Sequence, residues 1–330
     1  MKLSKITCLG IESTAHTFGV GIVSDKGILS DEKSFYKPPL GEGMLPRKVF
    51  EYHVQHAKNV IDVALKKAKK TLNEIDVIAF SQGPGLPQCL CLGASIARYI
   101  SFNFNKPIVG VNHPIAHVEI AKMTTRCKDP VILYCSGGNT QIIALSGGRY
   151  RIFGETLDIP IGNAFDVLAR SFGLEMPGGP KIEELAKSGK WVDLPYIVKG
   201  MDFSFSGIVT ECQKLLKKGV SKNDLAFSFQ ETCFSMITEA TERAIAHTNK
   251  EEVLVTGGVA ANKRLKEMIK IMCEERGAKP HVVPPKYSGD NGSMIAWTGL
   301  LMYNSGVTTC IKDSKIKKDW RIDEVDVKWT

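Results

Sequence analysis

The sequence predicts an α/β protein built from two related lobes, and three observations carry that expectation. Two segments, ITCLGIESTAHTFGVGIVS (residues 6–24) and VILYCSGGNTQIIAL (131–145), share one pattern: an apolar run, a small polar turn and a second apolar run. Two others, DVIAFSQGPG leading into LGASIARYI and EVLVTGGVAAN leading into KRLKEMIKIM, share another: a buried strand whose glycine-rich end opens a helix. The order hairpin, then strand–turn–helix, occurs twice along the chain.

Each element has a local cause. The two hairpin turns carry Ser, Thr and Gly, the residues that reverse a chain at little conformational cost. A glycine-rich turn at a strand end leaves backbone N–H groups able to cup a phosphate, which places the expected site in a central cleft between facing lobes. The stretches KVFEYHVQHAKNVIDVALKKAKK (48–70) and FSFQETCFSMITEATERAIAHT (227–248) repeat apolar residues every three or four positions and read as packing helices. TTRCKDP (124–130) is polar and ends in proline, so the lobes are expected at 1–128 and 129–330, with the C-terminal helix and tail free to pack back on the first.

Composition narrows the class. With 330 residues and 43% of them hydrophobic, the chain can bury a sizeable core, and 24% charged residues argue against disorder. No apolar run is long enough to span a membrane, and MKLSKITCLGIEST turns polar at Glu12 before a signal-peptide core could form, so a cytoplasmic location is expected. Nine cysteines lie singly apart from Cys89 and Cys91, without a CxxC pair, which disfavours a disulfide framework or zinc ribbon. The net charge of +8 arises in clusters such as KKAKK (66–70) and KDSKIKK (312–318), a pattern that suits RNA as well as solvated lysine faces.

Four stretches bear chemistry. In VNHPIAHVEIA (111–121), Pro114 suits the first turn of a helix, making Asn112 or His113 a cap and setting His113 and His117 on one face, one turn apart. That geometry chelates a metal ion, and it also suits a capping histidine beside a core histidine; the glutamate of HExxH is missing. The pair His53 and His56 reads as partly exposed helix residues. CSGGNT (135–140) lets a ligand approach the backbone at Gly137 and Gly138. Asp166, and Glu183 one turn past PGGP, place carboxylates beside a glycine turn, an arrangement fitted to ribose hydroxyls, while Glu183 and Glu184 also suit plain helix capping against the macrodipole. Asp290 sits in a polar turn, GDNGS, ahead of an apolar helix.

Taken jointly, GIESTAHTFGVGIV, SQGPG, NHPIAH, YCSGGNTQ, GETLDIPIGNAFD, PGGPKIEELA, DFSFSG, TGGVAAN and GDNGSMIAW occur in the order seen in the Kae1/TsaD/Qri7 family, over essentially the whole chain. SGGNTQ and NHPIAH resemble its archaeal and eukaryotic branch. The resemblance implies a duplicated actin/Hsp70-like ATPase fold and an acyltransferase that moves threonylcarbamoyl from threonylcarbamoyl-AMP to N6 of adenosine 37 in ANN-decoding tRNAs. It further implies one divalent metal, iron or zinc, held by His113, His117, Tyr134 and Asp290, and an adenine nucleotide held by Tyr134, Cys135, Ser136, Gly137, Gly138, Asp166, Gly179, Glu183 and Asn262. Implied partners are tRNA and the KEOPS subunits Bud32 kinase, Cgi121 and Pcc1, with no membrane. The chain departs from the pattern at Pro87, Cys89 and Cys91, where relatives usually show glycine and arginine, and at Pro114 and Cys135, where cysteine and valine are common. A metal-dependent peptidase, an ATPase of the same fold and a non-catalytic scaffold are the competing readings.

Overall fold

The computed structural model describes residues 6–39 and 44–329; residues 1–5 of the N-terminal stretch lie outside them. In chain order the elements are β1 (Thr7–Glu12), β2 (Thr17–Ser24), β3 (Gly27–Phe35), α1 (Pro46–Ala68), β4 (Val77–Gly83), α2 (Pro87–Phe104), β5 (Ile108–Asn112) and α3 (His113–Thr125). There follow β6 (Val131–Cys135), β7 (Thr140–Ser146), β8 (Arg149–Glu155), α4 (Ile161–Ser171), α5 (Gly178–Ala186), the short pair β9 (Val198–Lys199) and β10 (Asp202–Phe203), α6 (Ser206–Lys217) and α7 (Lys222–Thr248). The chain closes with β11 (Glu252–Thr256), α8 (Lys263–Arg276), β12 (Lys279–Val282), α9 (Pro285–Ser288) and α10 (Gly292–Asn304).

These elements form two compact units. One takes the chain up to Pro38, the stretch ending at Ile120 and everything from Asp290 onward; the other is Ala121–Gly289. Each holds a five-stranded sheet, ordered β3-β2-β1-β4-β5 in the first and β8-β7-β6-β11-β12 in the second. Strand directions match position by position: the hairpin strands pair antiparallel, and the two later strands join parallel to the first. The chain is thus an α/β protein with a duplicated actin/Hsp70-like sheet.

In the first unit β1 and β2 are buried along their whole length, as near-continuous apolar strands covered on both faces should be. Leu9, Ile11, Phe18, Val20, Ile22, Ile78 and Phe80 pack against Ala57 and Val60 of α1 and Ala94 and Ala97 of α2. Each large side chain so buried contributes about 1.5–3 kcal/mol. α10 covers the other face, lying on β1 and β2. It comes so close that a Cβ at Gly21 would stand 2.2 Å from the Ser293 nitrogen, so this strand position admits only glycine. Beyond α10 the tail returns along the sheet: Thr309 donates to Ile108 O at 2.8 Å, and Gln82 Nε2 donates to the carbonyls of Asp313 and Lys315 at 2.8 and 2.7 Å.

In the second unit the long α7 is the central helix. Phe229 and Phe234 on it meet Phe165 of α4, with ring centroids 5.1 and 5.5 Å apart. Among the described residues no helix is long and apolar enough to cross a membrane.

Candidate metal centre and glycine-turn site

α3 begins as its sequence dictates. Asn112 caps it, its Oδ1 accepting from Ile115 N at 3.2 Å, and Pro114 occupies the first turn, where no N–H is missed. The four-residue spacing then sets His113 and His117 edge to face, with ring centroids 4.8 Å apart and both rings buried. Asp290 arrives from the turn before α10, where Asn291 is the cap and accepts from Met294 N at 2.9 Å. β3 holds that turn in place: Lys33 Nζ donates to Asp290 O at 3.0 Å, and Ser293 N donates to Asp31 at 3.0 Å.

Asp290 Oδ1 lies 3.2 Å from His117 Nε2 and 3.6 Å from His113 Nε2. Among the described residues these three form one cluster whose ligand atoms lie within 4.8 Å of one another. Two ligands bonded to one tetrahedral zinc at roughly 2.1 Å stand about 3.4 Å apart, so the spacing and the donor set both fit a divalent cation. Asp290 belongs to the first unit, not to the second repeat as its sequence position suggests, because α10 docks on the first sheet.

Charge is concentrated here. Burial disfavours an imidazolium at His113, yet Glu12 at 3.0 Å and Asp290 outweigh it and raise the His113 pKa to about 9. At His117 burial prevails over Asp290 and the pKa falls. For Asp290, burial is opposed by the His117 hydrogen bond and the nearby imidazoles, which hold its carboxyl well below the usual range.

Glu12, at the end of β1, is fully buried, its Oε2 3.0 Å from His113 Nδ1. In the sequence Glu12 stands out only as the point where the N-terminal stretch turns polar. A lone carboxylate closing an otherwise apolar buried strand was the available signal. The pair His53 and His56 is corrected in one respect: His53 is buried, not partly exposed, with its ring edge-on to Phe18 at 5.6 Å, and burial lowers its pKa. His56 stacks on Tyr52 at 3.9 Å.

The second unit brings the remaining candidates together around its own glycine turns. Tyr134 and Cys135 are buried at the end of β6, and Ser136 closes the following turn, its Oγ accepting from Gly138 and Asn139 at 3.2 and 2.9 Å. Around Gly137, Gly138 and Gly179 an added Cβ would meet nothing within 4 Å, so the backbone there is open to a ligand. Gly257, with φ +92°, presses the β11 turn against this one, its would-be Cβ 2.2 Å from Cys135 O. Asp166 accepts from Gly178 N at 2.7 Å, and Glu183 accepts from Lys263 N at 2.9 Å. Asn262 caps α8, accepting from Arg264 and Leu265, and its amide donates to Gln230 at 3.0 Å. Each of these two carboxylates thus accepts a backbone N–H at the start of a helix, Asp166 at α5 and Glu183 at α8, so Glu183 serves a neighbouring helix and not its own.

The first unit's turn differs. In SQGPG, Gly85 N donates to Lys318 O at 3.1 Å and Leu86 N donates to Thr14 O at 2.7 Å, so the chain itself occupies the place where a phosphate was expected.

Residues 27–297 match the family model TsaD, tRNA N6-adenosine threonylcarbamoyltransferase. The chain is 54% identical to the tRNA N6-adenosine threonylcarbamoyltransferase of Archaeoglobus fulgidus, over 97% of this chain and 99% of that one. It is 55% identical to the protein of the same description from Thermococcus kodakarensis, again over 97% and 99%. Among solved structures, HypF from T. kodakarensis superposes with a TM-score of 0.61 at 14% identity, over 92% of this chain and 48% of that one, a likeness of fold alone. The chain belongs to the TsaD family of tRNA N6-adenosine threonylcarbamoyltransferases and is an acyltransferase of threonylcarbamoyladenosine synthesis in tRNA.

Proposed function

We propose that the enzyme takes threonylcarbamoyl-AMP, made by a separate synthase, and passes its threonylcarbamoyl group to N6 of adenosine 37 in tRNAs reading ANN codons. The adenine N6 attacks the carbamoyl carbon, the bond from that carbon to the phosphate oxygen breaks, AMP leaves, and the amine gives up a proton. The observation that carries this reading is the cluster of buried His113 and His117 with half-buried Asp290, a donor set that neither sugar phosphorylation nor ATP hydrolysis requires.

These three residues, with Tyr134 as a fourth contact, would hold one divalent cation, iron or zinc; their nitrogen and oxygen donors suit both. Bound there, the cation supplies Lewis-acid stabilisation of charge developing on the carbonyl oxygen. The chain's own contribution is positional. The backbone from Tyr134 to Gly138 receives the phosphate, where Gly137 and Gly138 leave room for close approach. Asp166, Gly179, Glu183 and Asn262 receive the nucleoside, the two carboxylates facing ribose hydroxyls. The archaeal form of NHPIAH and SGGNTQ supports a place in the cytoplasm beside the KEOPS subunits Bud32 kinase, Cgi121 and Pcc1, acting on tRNA.

Reconstitution with unmodified tRNA, threonine, bicarbonate, ATP and the synthase tests the reading, combined with metal analysis of the purified protein. The parent should carry about one metal per chain and modify the tRNA. His117→Ala should keep its circular dichroism spectrum, lose the metal and lose modification by roughly 100-fold or more. Full metal occupancy in that variant would sink the ligand assignment.

A further inference from the structure

We propose that Glu12 is the positioning residue of the metal centre: its carboxylate holds the Nδ1–H tautomer of His113 and so presents Nε2 as the ligand. The proposal rests on the reading of His113, His117 and Asp290 as metal ligands. A metal-bound imidazole is oriented by whatever its second nitrogen donates to, and a carboxylate is the strongest such acceptor.

The geometry is specific to that task. Glu12 is fully buried, a costly place for a carboxylate unless donors surround it, and three donors converge on it. Oε1 accepts from Thr14 N at 2.7 Å and Thr14 Oγ1 at 2.5 Å; Oε2 faces His113 Nδ1 at 3.0 Å. Thr14 Oγ1, having given its proton to Glu12, lies 3.3 Å from the same Nδ1 and offers it a second acceptor. Thr14 is itself pinned by the SQGPG turn, since Leu86 N donates to its carbonyl at 2.7 Å. The first unit's glycine turn therefore serves the metal centre indirectly, through Thr14 and Glu12. His113 Nε2, on the far side of the ring, is the atom that faces Asp290.

This arrangement makes an isosteric amide inadequate. Thr14 N–H can only donate, so the atom facing it must accept. In Glu12→Gln, an amide oxygen on Thr14 turns the NH2 toward His113, which forces Nδ1 to accept and leaves the proton on Nε2, where the cation would bind. The opposite flip sets NH2 against Thr14 N–H. No orientation satisfies both neighbours.

The test uses the full chain loaded with Zn(II), or with Co(II) as a coloured substitute. In histidine-labelled, Zn-loaded parent protein, long-range proton–nitrogen NMR should show His113 protonated at Nδ1 and bare at Nε2. Glu12→Gln should weaken Zn(II) binding roughly ten- to hundredfold and alter the Co(II) visible spectrum at a temperature where circular dichroism shows the metal-free variant to be folded, even though its melting temperature falls below the parent's. Thr14→Ala, which keeps the carboxylate and the Thr14 N–H position, should cost less than Glu12→Gln. Parent protein with His113 bound through Nδ1, or a Glu12→Gln protein with parental affinity and spectrum, overturns the role of Glu12 and leaves the ligand reading intact. A parent that takes up neither metal overturns both.

Discussion

Where β1 ends, the first unit places Glu12, a buried carboxylate locked to Thr14 and His113; where β6 ends, the second unit places Cys135 and an open serine–glycine turn. The two strands hold the same position in sheets of the same order and direction. In the first, the turn after β4 is filled by the returning tail, whereas in the second the turn after β11 is pressed against β6 and leaves Gly137 and Gly138 unobstructed. One sheet end has become a rigid frame for side-chain donors and the other a surface of backbone. A duplicated scaffold thus fixes where a site can form, and the residues that fill or vacate the strand ends decide its chemistry.

The sharpest way to break the comparison is to add the same methyl group to each unit. Gly21→Ala would drive a Cβ into the backbone of α10 and should cost about 3 kcal/mol or more, with loss of the Asp290 alignment; Gly137→Ala should stay within about 0.5 kcal/mol. Urea unfolding of the two variants reads the contrast, and equal losses would deny that α10 sits directly on β2.

Acidity offers the next test. In the metal-free protein His113 carries a pKa raised to about 9, so its contribution to stability is present below the unfolded histidine value and is lost as pH rises through about 9. Metal uptake has the opposite sign, because the cation must displace that proton. Zn(II) affinity should rise about tenfold per pH unit below 9 and level off above it. Competition titrations against a chelator of known pH dependence would show a flat profile if His113 is not a ligand.

In the second unit, Asp166→Ala and Glu183→Ala should each weaken AMP or ATP binding roughly tenfold in calorimetry, the worth of a hydrogen bond to a charged group. Unchanged binding in both would move the ribose elsewhere. The smallest effect is expected from the lysine clusters. Lys67 and Lys70 already pair with Glu32 at 2.7 Å and Glu74 at 3.4 Å, and Lys317 lies over Trp320. Neutralising 66–70 or 312–318 should make the salt dependence of tRNA binding shallower, by a slope of about one for each phosphate that no longer meets a lysine, and leave turnover at saturating tRNA nearly unchanged. An unaltered slope would return these lysines to solvation.

By itself the sequence determined what depends on neighbours a few residues apart. The apolar–turn–apolar runs set the hairpins, Asn112 and Pro114 started α3, and the spacing of His113 and His117 placed both rings on one face, since a helix repeats every 3.6 residues. The ordered motifs then pointed to the family. Tertiary structure decided which partners those histidines meet. Asp290 lies 173 positions after His117, and Glu12 lies 101 positions before His113, so no local period relates them. They converge because glycine on β2 lets α10 approach to backbone contact and because the turn after β4 pins Thr14 beneath the imidazole. Periodicity records which face a residue takes, while the identity of the group across that face is settled only when distant segments pack.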